Sequence, residues 1–384
     1  MTYLGGEIMQ KRKLGKTNLD ISVMGLGGFH LIELSEKNAL EIINRYLDRG
    51  GNYLETAAGY GFGNSELKIG KVAKNRRQEF ILASKSIERK KKELLASIDE
   101  SLKRLQTDSI DIFFLHEFGR HEFVDIASGP NGALEGLEEA KRLGKIRFTA
   151  FSSHTGPEVA LRALNTYPFD VIMIPLNFFD RFNFPAWESQ VIPAALEKNV
   201  GLLAMKVFAD GLLWKNWENA LRYTLSLPIS SAIIGANTLE YLEKDIQFIN
   251  TIQAMSEKEK EQLFLKASEL GQYVCRQCDK CLPCPEKINI PWIFALEGQW
   301  DRQLADGVVR DPGEYALRDR LRFWFGNQDY AQEAYKKVDP KALACSECGE
   351  CIPRCPYHLQ IIEKLKIAHD KLTDTRPPVK IRII

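Results

Sequence analysis

Over about the first 250 residues, short and nearly continuous apolar runs alternate with stretches in which apolar positions recur every three or four residues. The runs predict strands at Ile21–Gly28, Asn52–Ala57, Phe80–Lys85, Ile110–His116, Ile146–His154, Val171–Asn177, Gly201–Phe208 and Ser230–Ala236. Continuous apolarity, rather than alternation, is what parallel strands covered on both faces require. The intervening stretches read as amphipathic helices. Ala39, Leu40, Ile43 and Leu47 mark the first, and Leu94, Leu95, Ile98, Leu102 and Leu105 mark the third. Helix stops fall at Gly50-Gly51 and Gly144, and Pro157 sits where a first helical turn accepts it.

Eight strand–helix units of this kind predict a (β/α)8 TIM barrel over residues 1–255. A doubly wound open sheet is the competing α/β arrangement, but it seldom needs eight regular units. In such a barrel, chemistry gathers at the C-terminal ends of the strands. The polar residues there are Glu55 to Tyr60, Lys85, His116, Ser152 to His154, Asn177 and Lys206. The fold therefore brings Glu55, Tyr60, Lys85 and His116 towards one mouth.

At 384 residues, with 27% charged and 45% apolar positions, the chain has room for a large domain and a small one. A net charge of +1 argues against nucleic acid as a partner. Apolar runs such as Ile110–Leu115, interrupted by Asp111, are far too short for a membrane span. The opening MTYLGGEIMQKRK has no apolar core, so a cytoplasmic location is expected.

All eight cysteines fall in two runs near the C-terminus. They are Cys275-x2-Cys278-x2-Cys281-x2-Cys284-Pro285 and Cys345-x2-Cys348-x2-Cys351-x3-Cys355-Pro356. Three cysteines at this spacing wrap one iron–sulfur cubane, and the fourth, set before proline, ligates the other cluster in two-cluster ferredoxins. Two 4Fe–4S clusters are expected, one on Cys275, Cys278, Cys281 and Cys355, the other on Cys345, Cys348, Cys351 and Cys284. Zinc more often takes two C-x2-C pairs separated by a longer loop, and disulfides fit a reducing compartment poorly. A connecting helix over 256–271, opened by the capping pair Ser256 and Glu259, leads to this ferredoxin-like domain at 272–372. Ile290–Glu297 and Glu314–Phe325 read as helices within it, making the small domain mainly α-helical, and 373–384 as an extended tail.

The segment Gly51-Asn52-Tyr53-Leu54-Glu55-Thr56-Ala57-Ala58-Gly59-Tyr60-Gly61, with Asn64-Ser65-Glu66 and Gly70 after it, resembles the aldo-keto reductase signature. Phe80–Lys85 and Asp111–His116 resemble that family's strands ending in a catalytic lysine and histidine, and Lys13–Thr17 with Gly25–Gly27 its first hairpin and strand. The whole chain resembles the subgroup with a C-terminal 4Fe–4S domain. Carried over by position, the resemblance implies Tyr60 as general acid, Lys85 as its perturber, His116 as the carbonyl-orienting group and Glu55 in place of the family's Asp. The chemistry is readable in itself: a ketone accepting hydride needs a proton donor, and an adjacent ammonium makes a tyrosine a readier one.

For the cofactor, NADPH or NADH, the resemblance implies contacts from Ser152, Ser153, Asn177, Met205, Gly235 and Asn237. Ser153 replaces the family's Asn, Met173 its carboxamide-binding Gln, and Met205 its ring-stacking Tyr. The segment Ile234–Thr238, before a helix at Leu239–Asn250, resembles the phosphate-holding segment, with Lys244 the nearby cation. The loop Glu117–Asn131, with Phe118, Arg120, His121 and Phe123, and the residues Phe208, Trp214 and Trp217 either line an apolar substrate pocket or pack beneath the second domain. His30 and His154 have no partner assignable from sequence.

The expected function is therefore hydride transfer between a nicotinamide and a small carbonyl or alcohol substrate, accompanied by two clusters that serve single-electron transfer to a redox protein partner. The rival is an electron-transfer or docking subunit whose barrel has altered chemistry. Glu55, Met173 and Met205 point to the rival, and the Tyr60–Lys85–His116 trio points away from it.

Overall fold

Ile21 pairs with Arg12, outside the barrel. The computed structural model describes residues 9–154, 157–209, 213, 216–266, 275, 279–304, 328–355 and 358–373. Strands β1 (Lys11–Lys13) and β2 (Asp20–Ser22) form an antiparallel hairpin, and the first barrel strand, β3, runs only from Met24 to Gly27. The apolar run from Ile21 thus serves two elements. Leu14 and Ile21 join the same core as Tyr53, Ile112, Val171 and Leu203 inside the barrel, so the hairpin stoppers its N-terminal end.

The other strands follow the sequence pattern, slightly shorter except β5, which is shifted by one residue: β4 (Tyr53–Glu55), β5 (Ile81–Ser86), β6 (Ile110–Leu115), β7 (Ile146–Ser152), β8 (Val171–Pro175), β9 (Gly201–Met205) and β10 (Ser231–Ile234). Strands β3 to β10 are parallel, each beside its sequence neighbour, and β10 pairs with β3 to close an eight-stranded barrel. Asp111, the acid inside an apolar strand, is satisfied by Arg77, Arg147 and the backbone N–H of Leu82 at 2.6–3.0 Å.

Helices cover the barrel. α1 (Glu36–Asp48) buries Ala39, Ile42, Ile43, Tyr46 and Leu47, and α2 (Asn64–Arg76) and α3 (Lys91–Leu105) follow. The segment read as a long loop after β6 contains a helix, α4 (His121–Ser128), which buries Val124 and Ala127. Phe118 ahead of it packs on Phe151 and Phe169, with ring centroids 5.8 and 6.4 Å away, so it belongs to the barrel core and not to a substrate pocket.

The chain forms two compact units, Met1–Ala209 with Asn216–Ser256, and Asp210–Lys215 with Glu257–Ile384. In the second unit, helices at Ile290–Leu304, Gln328–Lys336 and Ile361–Thr373 share a core with Cys281, Cys351 and Cys355. Glu297, fully buried there, pairs with Lys364 and Lys371. Residues 314–325, expected to be helical, and the tail from 374 lie outside the described residues. Among the described residues, no helix is long and apolar enough to cross a membrane.

Candidate active site

Strand β4 ends in Glu55 and β5 carries Lys85 one residue before its own end, and the two side chains meet as an ion pair, 3% and 1% exposed as residues. Burial pushes the Lys85 ammonium down from its ordinary value and Lys206 pushes the same way, while direct contact with Glu55 opposes both. Lys85 also donates to the Thr56 carbonyl at 2.9 Å. Tyr60, on the turn after β4, brings its hydroxyl to 3.1 Å from Lys85 Nζ and 3.5 Å from Glu55 Oε1. Glu55, one methylene longer than Asp, reaches Lys85 from the end of β4.

The rest of the signature fixes that turn. Ser65 donates to the Gly28 carbonyl and receives a bond from Thr56, both at 2.8 Å. Glu66, fully buried, accepts from Ser84 and Arg104 at 2.5 and 2.6 Å. Gly70 lets α2 lie against the backbone of Arg104 and Leu105, where a β-carbon would collide. These contacts fix the turn and the helix start that carry Tyr60.

His116, 2% exposed, follows β6 with its ring 5.8 Å from that of Tyr60 in an edge-on arrangement. Burial drives its pKa well below the usual imidazole value, and Lys85, His154, Arg89 and Lys206 add to that, so the ring is neutral. Glu117 and Arg89 have no counterpart in the sequence-based expectations. Glu117, in the left-handed region at φ 61°, places Oε2 3.5 Å from His154 Nε2. Arg89 donates to the carbonyls of His116 and Glu117 while its guanidinium lies over Phe118 and Phe123, 5.2 and 4.9 Å from the centroids. The signal for Glu117 was its position, one residue past a strand end. Nothing in the sequence pointed to Arg89.

The expected nicotinamide residues lie at strand ends, several of them engaged within the protein. Ser152 Oγ accepts from the Glu117 N–H at 3.3 Å, and the Ser153 N–H donates to the Met173 carbonyl at 3.1 Å. Asn177 donates to Asp180 and to the Lys206 carbonyl, both at 2.8 Å. Met173 and Met205 belong to the barrel-interior core. Gly235 packs directly on the His30 ring. Asn237 precedes α10 (Leu239–Thr251), whose cap is Thr238, accepting from the Tyr241 N–H at 3.1 Å. Lys244 lies over the Trp217 ring, 4.5 Å from its centroid. Trp214 lies outside the described residues.

Among the expected cluster ligands, Cys281, Cys351 and Cys355 are buried, Cys275, Cys284 and Cys345 partly buried, and Cys348 exposed. Burial raises the Cys351 thiol, Cys345, Cys284 and Cys348 act on it in the same direction, and a backbone hydrogen bond opposes them. Cys278 lies outside the described residues. Among the described residues, no group of three or more His, Cys, Asp or Glu converges so as to hold a metal ion.

The aldo/keto reductase family model matches residues 23–226, slightly over half of the chain. The chain belongs to the aldo/keto reductase family. This aldo/keto reductase is 29% identical over 302 residues to the uncharacterized oxidoreductase YqkF of Bacillus subtilis, covering 65% of this chain and 94% of that protein. It is 28% identical over 211 residues to a D-threo-aldose 1-dehydrogenase from a Pseudomonas species, covering 47% and 62% respectively. The holo form of aldo-keto reductase AKR11C1 from Bacillus halodurans shares its fold with a TM-score of 0.57 at 26% identity, covering 66% of this chain and 94% of that one. The aldo/keto reductase described here is accordingly an NAD(P)-dependent oxidoreductase.

Proposed function

We propose that the barrel interconverts a small carbonyl compound and its alcohol by hydride transfer with Tyr60 as the acid–base residue, and that the cysteine-rich unit holds two 4Fe–4S clusters serving single-electron transfer. The observation that carries the first part is the Tyr60 hydroxyl 3.1 Å from Lys85 Nζ, with Lys85 ion-paired to Glu55. A bound nicotinamide supplies the hydride. Tyr60 gives its proton to the carbonyl oxygen as charge develops there, and the neighbouring ammonium of Lys85 stabilises the phenolate left behind. Glu55 keeps a cation tenable at a buried position. Neutral His116 orients the carbonyl oxygen by donating a hydrogen bond to it. In the reverse direction the phenolate takes the alcohol proton.

The residues present fit a nicotinamide in part. Ser153 and Asn177 stand at adjoining strand ends, Met205 offers a polarisable thioether for the ring, and the N-terminus of α10 offers backbone N–H groups for phosphate. Met173 provides no amide for the carboxamide, so that group would be held from elsewhere.

Thiol chemistry and spacing support the clusters. One set would be Cys275, Cys278, Cys281 and Cys355, the other Cys345, Cys348, Cys351 and Cys284. The electrostatic influence of Cys284 on Cys351 favours the crossover between the runs. A cubane separates its ligands farther than one ion does, so it asks for four neighbouring thiols rather than four convergent ones. The clusters would pass electrons one at a time to or from an external redox protein.

Anaerobic titration with NADPH and NADH, followed by visible absorption and electron paramagnetic resonance, tests both parts. Nucleotide binding with bleaching of an iron–sulfur spectrum joins them into one redox chain. Binding without bleaching leaves a reductase whose clusters serve another partner. Failure to bind either nucleotide overturns the first part, and protein isolated anaerobically without iron and sulfide overturns the second.

A further inference from the structure

Arg89 sits on the segment between β5, which carries Lys85, and α3. That segment is itself pinned: the Ala133 N–H donates to the Arg89 carbonyl and the Lys91 N–H to the Asn131 carbonyl, both at 2.9 Å. From this base the guanidinium reaches across to the end of β6. One terminal nitrogen donates to the carbonyls of His116 and Glu117, the latter at 2.9 Å, and the other to the Ile87 carbonyl at 2.7 Å. A single fork thus ties the backbone just after Lys85 to the backbone of His116.

The turn it grips is one the chain does not adopt freely. Glu117 is in the left-handed region, φ 61°, which a residue other than glycine keeps only where its surroundings over-determine it. Neighbouring strands hold the N–H groups of this turn. His116 donates to the Ser86 carbonyl at 2.9 Å, Glu117 to Ser152 Oγ at 3.3 Å and Phe118 to the Ser152 carbonyl at 2.6 Å. Arg89 holds the carbonyls of His116 and Glu117. Burial pushes its guanidinium down to about 10, against the pull of Glu117 and Glu88. Among the described residues it forms no ion pair to offset that cost, although it lies over the Phe118 and Phe123 rings. What an arginine adds over a lysine here is a rigid planar fork that grips carbonyls on two segments at once.

We propose that Arg89 is a positioning residue for the reaction: by locking the carbonyls of His116 and Glu117 it fixes the direction from which the His116 imidazole meets the substrate oxygen. This rests on the reductase reading, in which His116 orients the carbonyl. Arg89 acts through His116 and not on the substrate. A displacement of about 1 Å in such a group costs on the order of 10²-fold in rate, and a clamp on its backbone prevents that displacement.

The test uses the full chain, with 4-nitrobenzaldehyde and glyceraldehyde as carbonyl probes and NADPH or NADH as donor. Arg89→Gln removes the fork, and Arg89→Lys keeps the charge without it. Each should lower kcat about 10- to 100-fold while nucleotide affinity holds. In a His116→Ala background the same substitutions should change kcat by less than about threefold, because the group they act through is gone. A merely structural role would not be cancelled in this way. Equal losses in the two backgrounds, wild-type rates in Arg89→Lys, or a loss confined to nucleotide affinity would overturn the proposal. A second readout needs no turnover. In protein labelled with nitrogen-15 histidine, the His116 ring signals are identified by their loss in His116→Ala, and they should shift or broaden in Arg89→Lys. If the wild type reduces neither probe, moved signals would support the clamp while the reductase reading fell. Unmoved signals would overturn the clamp with or without turnover.

Discussion

The hydroxyl of Tyr60 stands 3.1 Å from Nζ of Lys85, and the same ammonium lies 4.6 Å from the centroid of the Tyr60 ring. One cation thus faces both the phenolic oxygen and the ring's π-face. Tyr60→Phe keeps the ring contact and removes the hydroxyl with its proton and its bond to Lys85. Turnover should fall about 10²- to 10⁴-fold, with nucleotide affinity and the unfolding midpoint unchanged. Single-turnover kinetics beside nucleotide titration measure this, and full activity in the variant would remove Tyr60 from the mechanism.

The Glu55–Lys85 pair predicts a non-additive result. Removing one partner strands a buried charge and costs about 3–5 kcal/mol, whereas removing both leaves none stranded. Lys85→Met should therefore destabilise the barrel markedly, and the double variant Glu55→Leu/Lys85→Met should recover most of the loss while remaining inactive. Urea unfolding followed by circular dichroism decides it. Additive losses would mean the pair is not coupled in solution.

Asp245 on α10 gives a pH dependence. Burial raises its carboxyl from an ordinary 3.8 to about 7, with Lys244 pulling it back down. A group that holds its proton more tightly when folded makes stability fall as pH rises, here between about 4 and 7, by up to about 4 kcal/mol. Asp245→Asn should leave stability nearly unchanged at pH 4 and raise it progressively to pH 7, after which the gain levels off. Parallel slopes for the two proteins would show that Asp245 titrates normally.

Gly235 predicts a repairable clash. A β-carbon there would run into the His30 ring, so Gly235→Ala should cost about 1–3 kcal/mol by overpacking. Adding His30→Ala should relieve much of it. If the single variant melts with the wild type, the backbone at the end of β10 yields more easily than this packing indicates.

The proposed crossover between cysteine runs predicts stoichiometry. Cys351→Ser and Cys284→Ser should each lower anaerobically bound iron from about eight to about four per chain, removing the same cluster and sparing the other. Two different residual spectra would break the shared assignment.

Much of this was legible in the residues. Seven of the eight barrel strands fall within predicted runs and β5 overruns its own by one residue, Ser86, because burial on both faces leaves an unambiguous apolar block. Tyr60, Lys85 and Glu55 were legible because polar groups at the ends of such blocks need a reason. The misreadings have physical causes. Ile21 and Ser22 belong to a hairpin because the barrel's closed end must also be apolar, and α4 leaves no helical signal because Val124 and Ala127 are too few to set a period. The role of Arg89 rests on long-range bonds to carbonyls, which leave no periodic trace. Packing on His30 places a second demand on Gly235, beside the cofactor contact the resemblance implies for it.

In the smaller unit, Cys281, Cys351 and Cys355 occupy core positions beside Ile293, Leu296 and Leu365. Thiols there are small, and a unit of this size has little other apolar volume to spare. Were the proposed clusters bound there, its maturation would be tied to cofactor supply, with iron and sulfide acting as folding reagents as well as redox parts. A chain made under iron starvation would carry a finished catalytic barrel and an unfinished appendix, open to proteases. Cellular abundance of the full-length protein would then track iron status with no change in its gene's expression.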